Sequence, residues 1–198
     1  MIDIWNQRYG ESDFAYGKLP NVFLADQLPR LERGKLLFVA EGEGRNAVFA
    51  ASLGHQVNAF DTSAEGKKKA MKLAHECGVK IEYAVGNFDE QDYLPQSFDG
   101  LVLIYAHFPK AIRPTLHAQL LNCVKPGGFV IFEAFGKEQI QYQSGGPKDS
   151  EMLFSIEEVK VEFDVLSFEL LESVVINLKE GPYHNGLASV VRFVGFKK

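Results

Sequence analysis

The chain has 198 residues, 46% of them hydrophobic and 24% charged, with a formal net charge of −5. That is enough apolar material for one sizeable core and too little for two catalytic domains, so a single domain over 1–198 is expected. The acidic balance disfavours a nucleic-acid partner, since phosphate tracking needs a basic face, and the one basic cluster, Lys67-Lys68-Lys69, is expected on a solvated helix face.

The opening stretch MIDIWNQRYGESDFAYG has no basic start leading into a long apolar run, and no later segment approaches the ~20 apolar residues of a membrane span. A soluble, cytoplasmic protein with no membrane partner is expected. Cys77 and Cys123 show no C-x-x-C spacing and no His pair beside them, so they read as buried, reduced thiols and no metal site is expected.

The first strand is predicted at Lys35 to Val39, followed by a glycine turn and a helix from about Arg45. HQVNAFD (55–61) gives a second strand, and Ser63 is a candidate N-cap for a long helix ending before Gly78. KIEYAV (80–85) and FDGLVLIY (98–105) read as the third and fourth strands, the latter apolar enough for burial on both faces. A helix from about Arg113 to Cys123 stops at KPGG (125–128), which turns the chain into a fifth strand, FVIFEAF (129–135). After a Gln-, Ser-, Gly- and Pro-rich loop (137–149), a Ser155-x-x-Glu158 capping box opens a short helix to about 163. Two β-like runs, 167–178 and 187–198, flank KEGPYHNG (179–186) and should pair as an antiparallel hairpin. The pattern predicts a single-domain α/β, Rossmann-like fold: a seven-stranded, mostly parallel sheet with helices on both faces and a C-terminal antiparallel hairpin.

The turn after the first strand, Glu41-Gly42-Glu43-Gly44, has the build of a nucleotide loop, yet it carries acids where an anion would sit. With Ala47 it satisfies G-x-G-x-x-A, and Asp61 follows Gly42 by 19 residues, so spacing alone leaves NAD and other adenosine cofactors open. Like charges about 4 Å apart repel by ~1 kcal/mol in water and ~4 kcal/mol at an effective dielectric of 20. Glu41 and Glu43 therefore disfavour a pyrophosphate and favour a cationic nucleoside. The plainer alternative has both acids facing solvent at a helix N-terminus, where each gains ~0.3–1 kcal/mol.

Several short motifs carry a likeness: WNQRY (5–9), FAYGKLPNVFL (14–24), EGEGRNAVFAA (41–51), YAHFP (105–109), VKPGG (124–128), GGPKD (145–149) and YHNG (183–186). Through them the chain resembles class I S-adenosylmethionine-dependent methyltransferases over its whole length, and most of all the small bacterial group related to tellurite-resistance and thiopurine methyltransferases. The resemblance implies S-adenosylmethionine as cofactor and three segments: a cofactor-covering arm and helix (1–33), a cofactor-binding core (34–135), and a substrate-side loop, helix and hairpin (136–198). It implies that Gly42 and Gly44 let the backbone approach the methionine portion, with Glu41 near its ammonium. Asp61, with Thr62 after it, would meet the ribose; Asn87 and Phe88 would flank the adenine. Tyr105 would lie at the ligand end of strand four, and Tyr16 would fold over the cofactor. The chain departs from the pattern at Phe38, where relatives commonly carry Asp, and at Ala40, where they carry Gly; Asn87 replaces a frequent Asp.

Methyl transfer to an ionised, soft nucleophile needs alignment and desolvation more than a base. A thiol of pKa ~8.5 gains from an imidazole, and His107 and His184, the latter in the hairpin loop, are the candidates. Arg45 and Arg113 are candidates for orienting an oxyanion, although Arg45 would equally pair with Glu43 and Arg113 lie on a solvated helix. Trp5, Tyr9, Phe14 and Tyr16 form either a lid or an anchor for the arm. The expected partner is a small-molecule acceptor, a thiol or an oxyanion such as tellurite or selenite. Strand four lacks the Asn-Pro-Pro-aromatic motif of DNA adenine methylation. Two other readings stay open: an NAD-dependent oxidoreductase, although no Tyr has Lys four residues on, and a non-catalytic S-adenosylmethionine-binding protein.

Overall fold

Apolar runs too continuous to leave one face in water form the centre of the sheet. In the computed structural model, which describes residues 2–198, β1 (Lys35–Val39) buries four of its five residues because helices cover it on both sides. Met1, the first residue of the expected arm, lies outside the described residues. The remaining strands are β2 (Gln56–Asp61), β3 (Glu82–Val85), β4 (Phe98–Ile104), β5 (Val124–Phe135), β6 (Leu166–Glu180) and β7 (His184–Lys197). They form one seven-stranded sheet in the order β3-β2-β1-β4-β5-β7-β6, in which β7 runs antiparallel between β5 and β6 and the other pairings are parallel.

The helices are α1 (Ile2–Tyr9), α2 (Val22–Gln27), α3 (Arg45–Ser52), α4 (Ala64–Glu76), α5 (Arg113–Asn122) and α6 (Ile156–Glu162). Residues of α2, α3 and α4 pack on one sheet face around Leu36 and Phe38; α5 and α6 pack on the other around Leu37, Val130 and Phe132. Caps fix the helix starts. Ser63 accepts from the Gly66 N–H, and Ser155 and Glu158 make the predicted reciprocal capping box, each cap being worth about 1 kcal/mol. Since β2 lies on one side of β1 and β4 on the other, the chain reverses direction across the sheet there. The crevice at the strands' carboxyl ends is where ligands of open α/β sheets sit.

Several boundaries differ from expectation. β5 begins at Val124, so Lys125-Pro126-Gly127-Gly128 continues the strand past a register shift opposite Phe98 and Gly100. The hairpin turn is only 181–183, which makes Glu180 and His184 paired strand residues instead of loop residues. Gly181, at φ +70°, allows this tight turn. Cys123 is buried as expected, but Cys77 is exposed because it follows the last turn of α4. Arg113 does not lie on a solvated face. α6 crosses α5 there, and the 1%-exposed guanidinium bonds Glu162 at 2.7 Å and stacks over Phe154. Within the lysine cluster, Lys69 is turned inward to an ion pair with Glu43.

Candidate functional site

At the turn after β1, Ala40 takes a left-handed φ of +52°, a conformation that glycine adopts more readily. Glu41 then folds back over the start of α3 and accepts from the N–H groups of Asn46 (2.9 Å) and Ala47 (2.7 Å). Those donors have no intrahelical partner, and they are the groups that would otherwise receive a phosphate. Burial outweighs these bonds and the nearby Arg45, pushing the Glu41 pKa up to about 7. Glu43 does not face solvent. It is 4% exposed, accepts from the Ala15 N–H at 2.8 Å and pairs with Lys69 at 2.8 Å, tying the N-terminal arm and α4 to the turn.

The two glycines of this turn serve packing. A Cβ on Gly42 would lie 2.6 Å from the Tyr9 hydroxyl, and one on Gly44 would lie 2.5 Å from the Ala70 Cβ, at φ +60° and +85° respectively. Neither lines the cleft above. Their lack of a side chain admits Tyr9 of α1 and Ala70 of α4, and the cleft wall at this turn is Ala40, Glu41, Glu43, Arg45 and Asn46. Phe38, in the position where relatives carry an acid, is fully buried in the core.

Asp61 ends β2 with Oδ2 accepting from the Gly42 N–H (3.0 Å) and Oδ1 from the Ser63 N–H (2.8 Å). Burial raises its pKa against these bonds. Beyond β3, Asn87 caps a short helical turn through a reciprocal bond with Glu90, and Phe88 packs near Phe60 and Tyr93 at ring-centroid distances of 6.1 and 6.2 Å. Together Asp61, Thr62, Asn87 and Phe88 line one end of the cleft.

The other end is aromatic. Tyr105, left-handed at φ +54°, donates from its hydroxyl to Glu133 at 2.9 Å. Its ring meets that of His184 at 4.6 Å, while Tyr16 and Phe135 meet the same imidazole at 4.4 and 5.2 Å. Tyr16 is held by Arg8, whose guanidinium lies 2.9 Å from the phenol oxygen and stacks on Trp5 and Tyr183. His107 has both nitrogens engaged: Nδ1 donates to the Met152 carbonyl at 2.8 Å and Nε2 accepts from the Phe135 N–H. Burial drives its pKa down to about 4. Arg45 bonds neither Glu43 nor an open face of the cleft. It pairs with Glu180 at 2.9 Å and donates to the Tyr16 and Leu19 carbonyls, because the arm lies across the start of α3.

These residues surround a single cleft of about 1070 Å³, at the upper end of the range for small-molecule sites and large enough for two ligands side by side. Of the residues singled out from sequence, Tyr16, Glu41, Arg45, Asp61, Thr62, Asn87, Phe88, Tyr105, His107 and His184 line it; Gly42 and Gly44 do not. Gly146, Pro147, Lys148 and Asp149 of GGPKD also line it. Sequence reasoning missed Glu133, Glu180 and Asn21, which meet beneath the aromatic end. Glu133 had left a signal, as the one acid within the apolar run of β5. No group of His, Cys, Asp and Glu suited to a metal occurs among the described residues, and no described helix is long and apolar enough to cross a membrane.

Residues 36–128 match the sequence model of a family described as "Methyltransferase domain". No curated protein sequence matches the chain. Among solved structures, one concerns the conversion of a disulfide bond into a thioacetal group during echinomycin biosynthesis. It is 14% identical with TM-score 0.80, over 100% of this chain and 92% of that one. TehB from Haemophilus influenzae is 15% identical with TM-score 0.74, over 100% and 67%. A S-adenosylmethionine-dependent methyltransferase from Methanosarcina mazei is 17% identical with TM-score 0.64, over 84% and 94%. At these identities the structural likeness is one of fold, and the segment from β1 to the KPGG stretch is what is similar to a methyltransferase domain.

Proposed function

We propose that the chain is an S-adenosylmethionine-dependent methyltransferase that delivers the methyl group to a small thiol or other soft chalcogen acceptor held at the aromatic end of the cleft. The observation that carries the cofactor assignment is the Glu41 carboxyl group bonded to the first N–H groups of α3, which closes the usual pyrophosphate seat and sets on the cleft wall an acid that a ligand ammonium would draw into its ionised form. A nicotinamide dinucleotide would meet repulsion there, whereas the ammonium of S-adenosylmethionine would meet attraction. Asp61 fits the ribose, because each of its oxygens spends one lone pair on the backbone and keeps another. Thr62 sits beside it, and Asn87 and Phe88 flank the adenine.

When bound, the cofactor supplies an electrophilic methyl group on a sulfonium. The chain's own contribution is to position the acceptor and exclude water. Tyr16 and the described part of the arm, residues 2–33, cover the cleft, residues 34–135 hold the cofactor, and residues 136–198 build the acceptor side. Of the three residues singled out for catalysis, His184 alone keeps a ring nitrogen without a hydrogen-bond partner among the described residues, so it takes the catalytic role. His107 and Arg45 hold the wall. A sulfur acceptor is supported by the aromatic lining, which suits a soft, polarisable atom, and by the likeness to a structure concerned with disulfide chemistry. A kinship with the tellurite and thiopurine group accords with the likeness to TehB.

Calorimetric titration with S-adenosylhomocysteine and, in parallel, NAD tests the cofactor. Micromolar binding of the first, weakened about 10- to 100-fold by Asp61→Ala through loss of bonds to a charged group, is expected. Binding of NAD alone would overturn the assignment.

A further inference from the structure

The fixed partner of His184 is Glu180, the last residue of β6, which faces it in register across the 181–183 turn. His184 Nδ1 lies 3.3 Å from Glu180 Oε2, and no described residue bonds Nε2, although the ring lines the cleft. Glu180 is itself held from two other elements: Arg45 donates to Oε2 at 2.9 Å, and Asn21 Nδ2 donates to Oε1 at 3.2 Å. Glycines clear the surroundings. A Cβ on Gly145 would lie 2.7 Å from His184 Cδ2, and one on Gly181 would lie 2.6 Å from the Ala15 carbonyl oxygen.

We infer that Glu180 is a positioning residue that holds His184 in the Nδ1–H tautomer, so that Nε2 offers its lone pair to the cleft and the acceptor is a nucleophile that arrives carrying its proton, such as a neutral thiol. This rests on the methyl-transfer reading above. An ionised carboxylate only accepts, so the nitrogen facing it must donate, and in a neutral imidazole the other nitrogen is then the acceptor. Burial works against the ionised form of Glu180, but the His184 bond and the Arg45 charge hold its pKa below the usual carboxylate range. Burial lowers that of His184, opposed by Glu180 and aided by Arg45 and Arg8. The pair is therefore a neutral imidazole beside an ionised carboxylate. The other titratable groups around the ring are Tyr16, Tyr105, Tyr183 and His107, with Glu133 behind Tyr105.

Of the cations near this imidazole, Arg45 is spent on Glu180 and Arg8 on the Tyr16 hydroxyl, so neither is free to hold an acceptor already ionised. In the transfer, the acceptor's proton passes to Nε2 while its lone pair forms the bond to the methyl carbon. The carbon–sulfonium bond breaks and its electron pair stays on the departing thioether. The single positive charge thus moves from sulfonium to imidazolium, where Glu180 balances it.

The first test is the imidazole nitrogen NMR spectrum of the ¹⁵N-labelled protein, free and with S-adenosylhomocysteine. The wild type is expected to show neutral His184 as Nδ1–H at pH 7, and Glu180→Ala to move it toward Nε2–H, because the acceptor that fixes the Nδ1 proton is gone. A wild-type Nε2–H tautomer overturns the proposal without reference to any variant. Binding of S-adenosylhomocysteine reports separately on the cofactor, so failure there sinks the methyl-transfer reading and leaves the tautomer result standing. The second test uses phenylmethanethiol as acceptor. Glu180→Gln is expected to lose ~10²–10⁴-fold in kcat/KM near pH 6.5, the range for a positioned base, and to recover most of it near pH 10, where the thiol ionises unaided. An equal loss at both pH values identifies a structural role and overturns the proposal.

Discussion

The two ends of the cleft satisfy their buried carboxylates in different ways. At the turn after β1, Glu41 bonds backbone N–H groups five and six residues on, and Asp61 bonds Ser63 two residues on. At the aromatic end, Glu133 and Glu180 share the Asn21 amide, 112 and 159 residues away, and Glu180 takes Arg45 from 135 residues away. These Glu41 and Asp61 bonds are local and backbone-built, so they follow once the turn forms; Glu43 is the exception there, taking Ala15 and Lys69 from 28 and 26 residues away. The second arrangement exists only after the arm, α3 and the hairpin have met, which makes the aromatic end dependent on the whole fold.

The sharpest way to break this contrast is Arg45→Ala. It leaves the 7%-exposed Glu180 without its cationic partner, and removing one member of a buried pair costs about 3–5 kcal/mol, to be read from urea unfolding. A loss below 1 kcal/mol would mean that the network does not hold the arm. Gly44→Ala attacks the local end. With its Cβ forced against the Ala70 backbone at a left-handed φ, a cost of about 2–4 kcal/mol is expected, again by denaturant unfolding. Tolerance of that substitution would show that α3 and α4 can separate.

Glu41 gives a pH test. Its folded pKa of about 7 lies above the ordinary carboxylate value, so its contribution to stability is complete below pH ~4 and fades as pH rises through 7. A ligand ammonium favours the ionised form. Affinity for S-adenosylhomocysteine should therefore rise with pH up to about 7, by as much as ~10-fold per unit, and binding at pH 6 should release a proton, seen as a buffer-dependent calorimetric enthalpy. Glu41→Gln should flatten that slope. The smallest effect is expected at Lys18→Ala, which breaks the exposed Lys18–Glu76 pair between the arm and α4 and should leave the urea unfolding midpoint essentially where it is. A larger shift would move part of the arm's anchorage from the buried network to the surface.

Much of this molecule was legible in its residues. Strand periodicity, the serine caps and the glycine punctuation gave β1, the two cap-defined helices and the antiparallel hairpin, because those signals act over a few residues. The acids of the β1 turn marked a departure from a phosphate loop, and Glu41 occupies the first N–H groups of α3 for an equally local reason. Other outcomes needed contacts between distant segments. Whether Gly42 and Gly44 admit a ligand or a helix depended on where Tyr9 and Ala70 arrive. Whether His107 or His184 keeps a free nitrogen depended on the Met152 carbonyl and the Phe135 N–H. Local propensity determined the scaffold and the charge of its cofactor turn; tertiary packing alone decided which buried carboxylate meets which cation, because burial makes such partners obligatory while chain spacing leaves them unspecified.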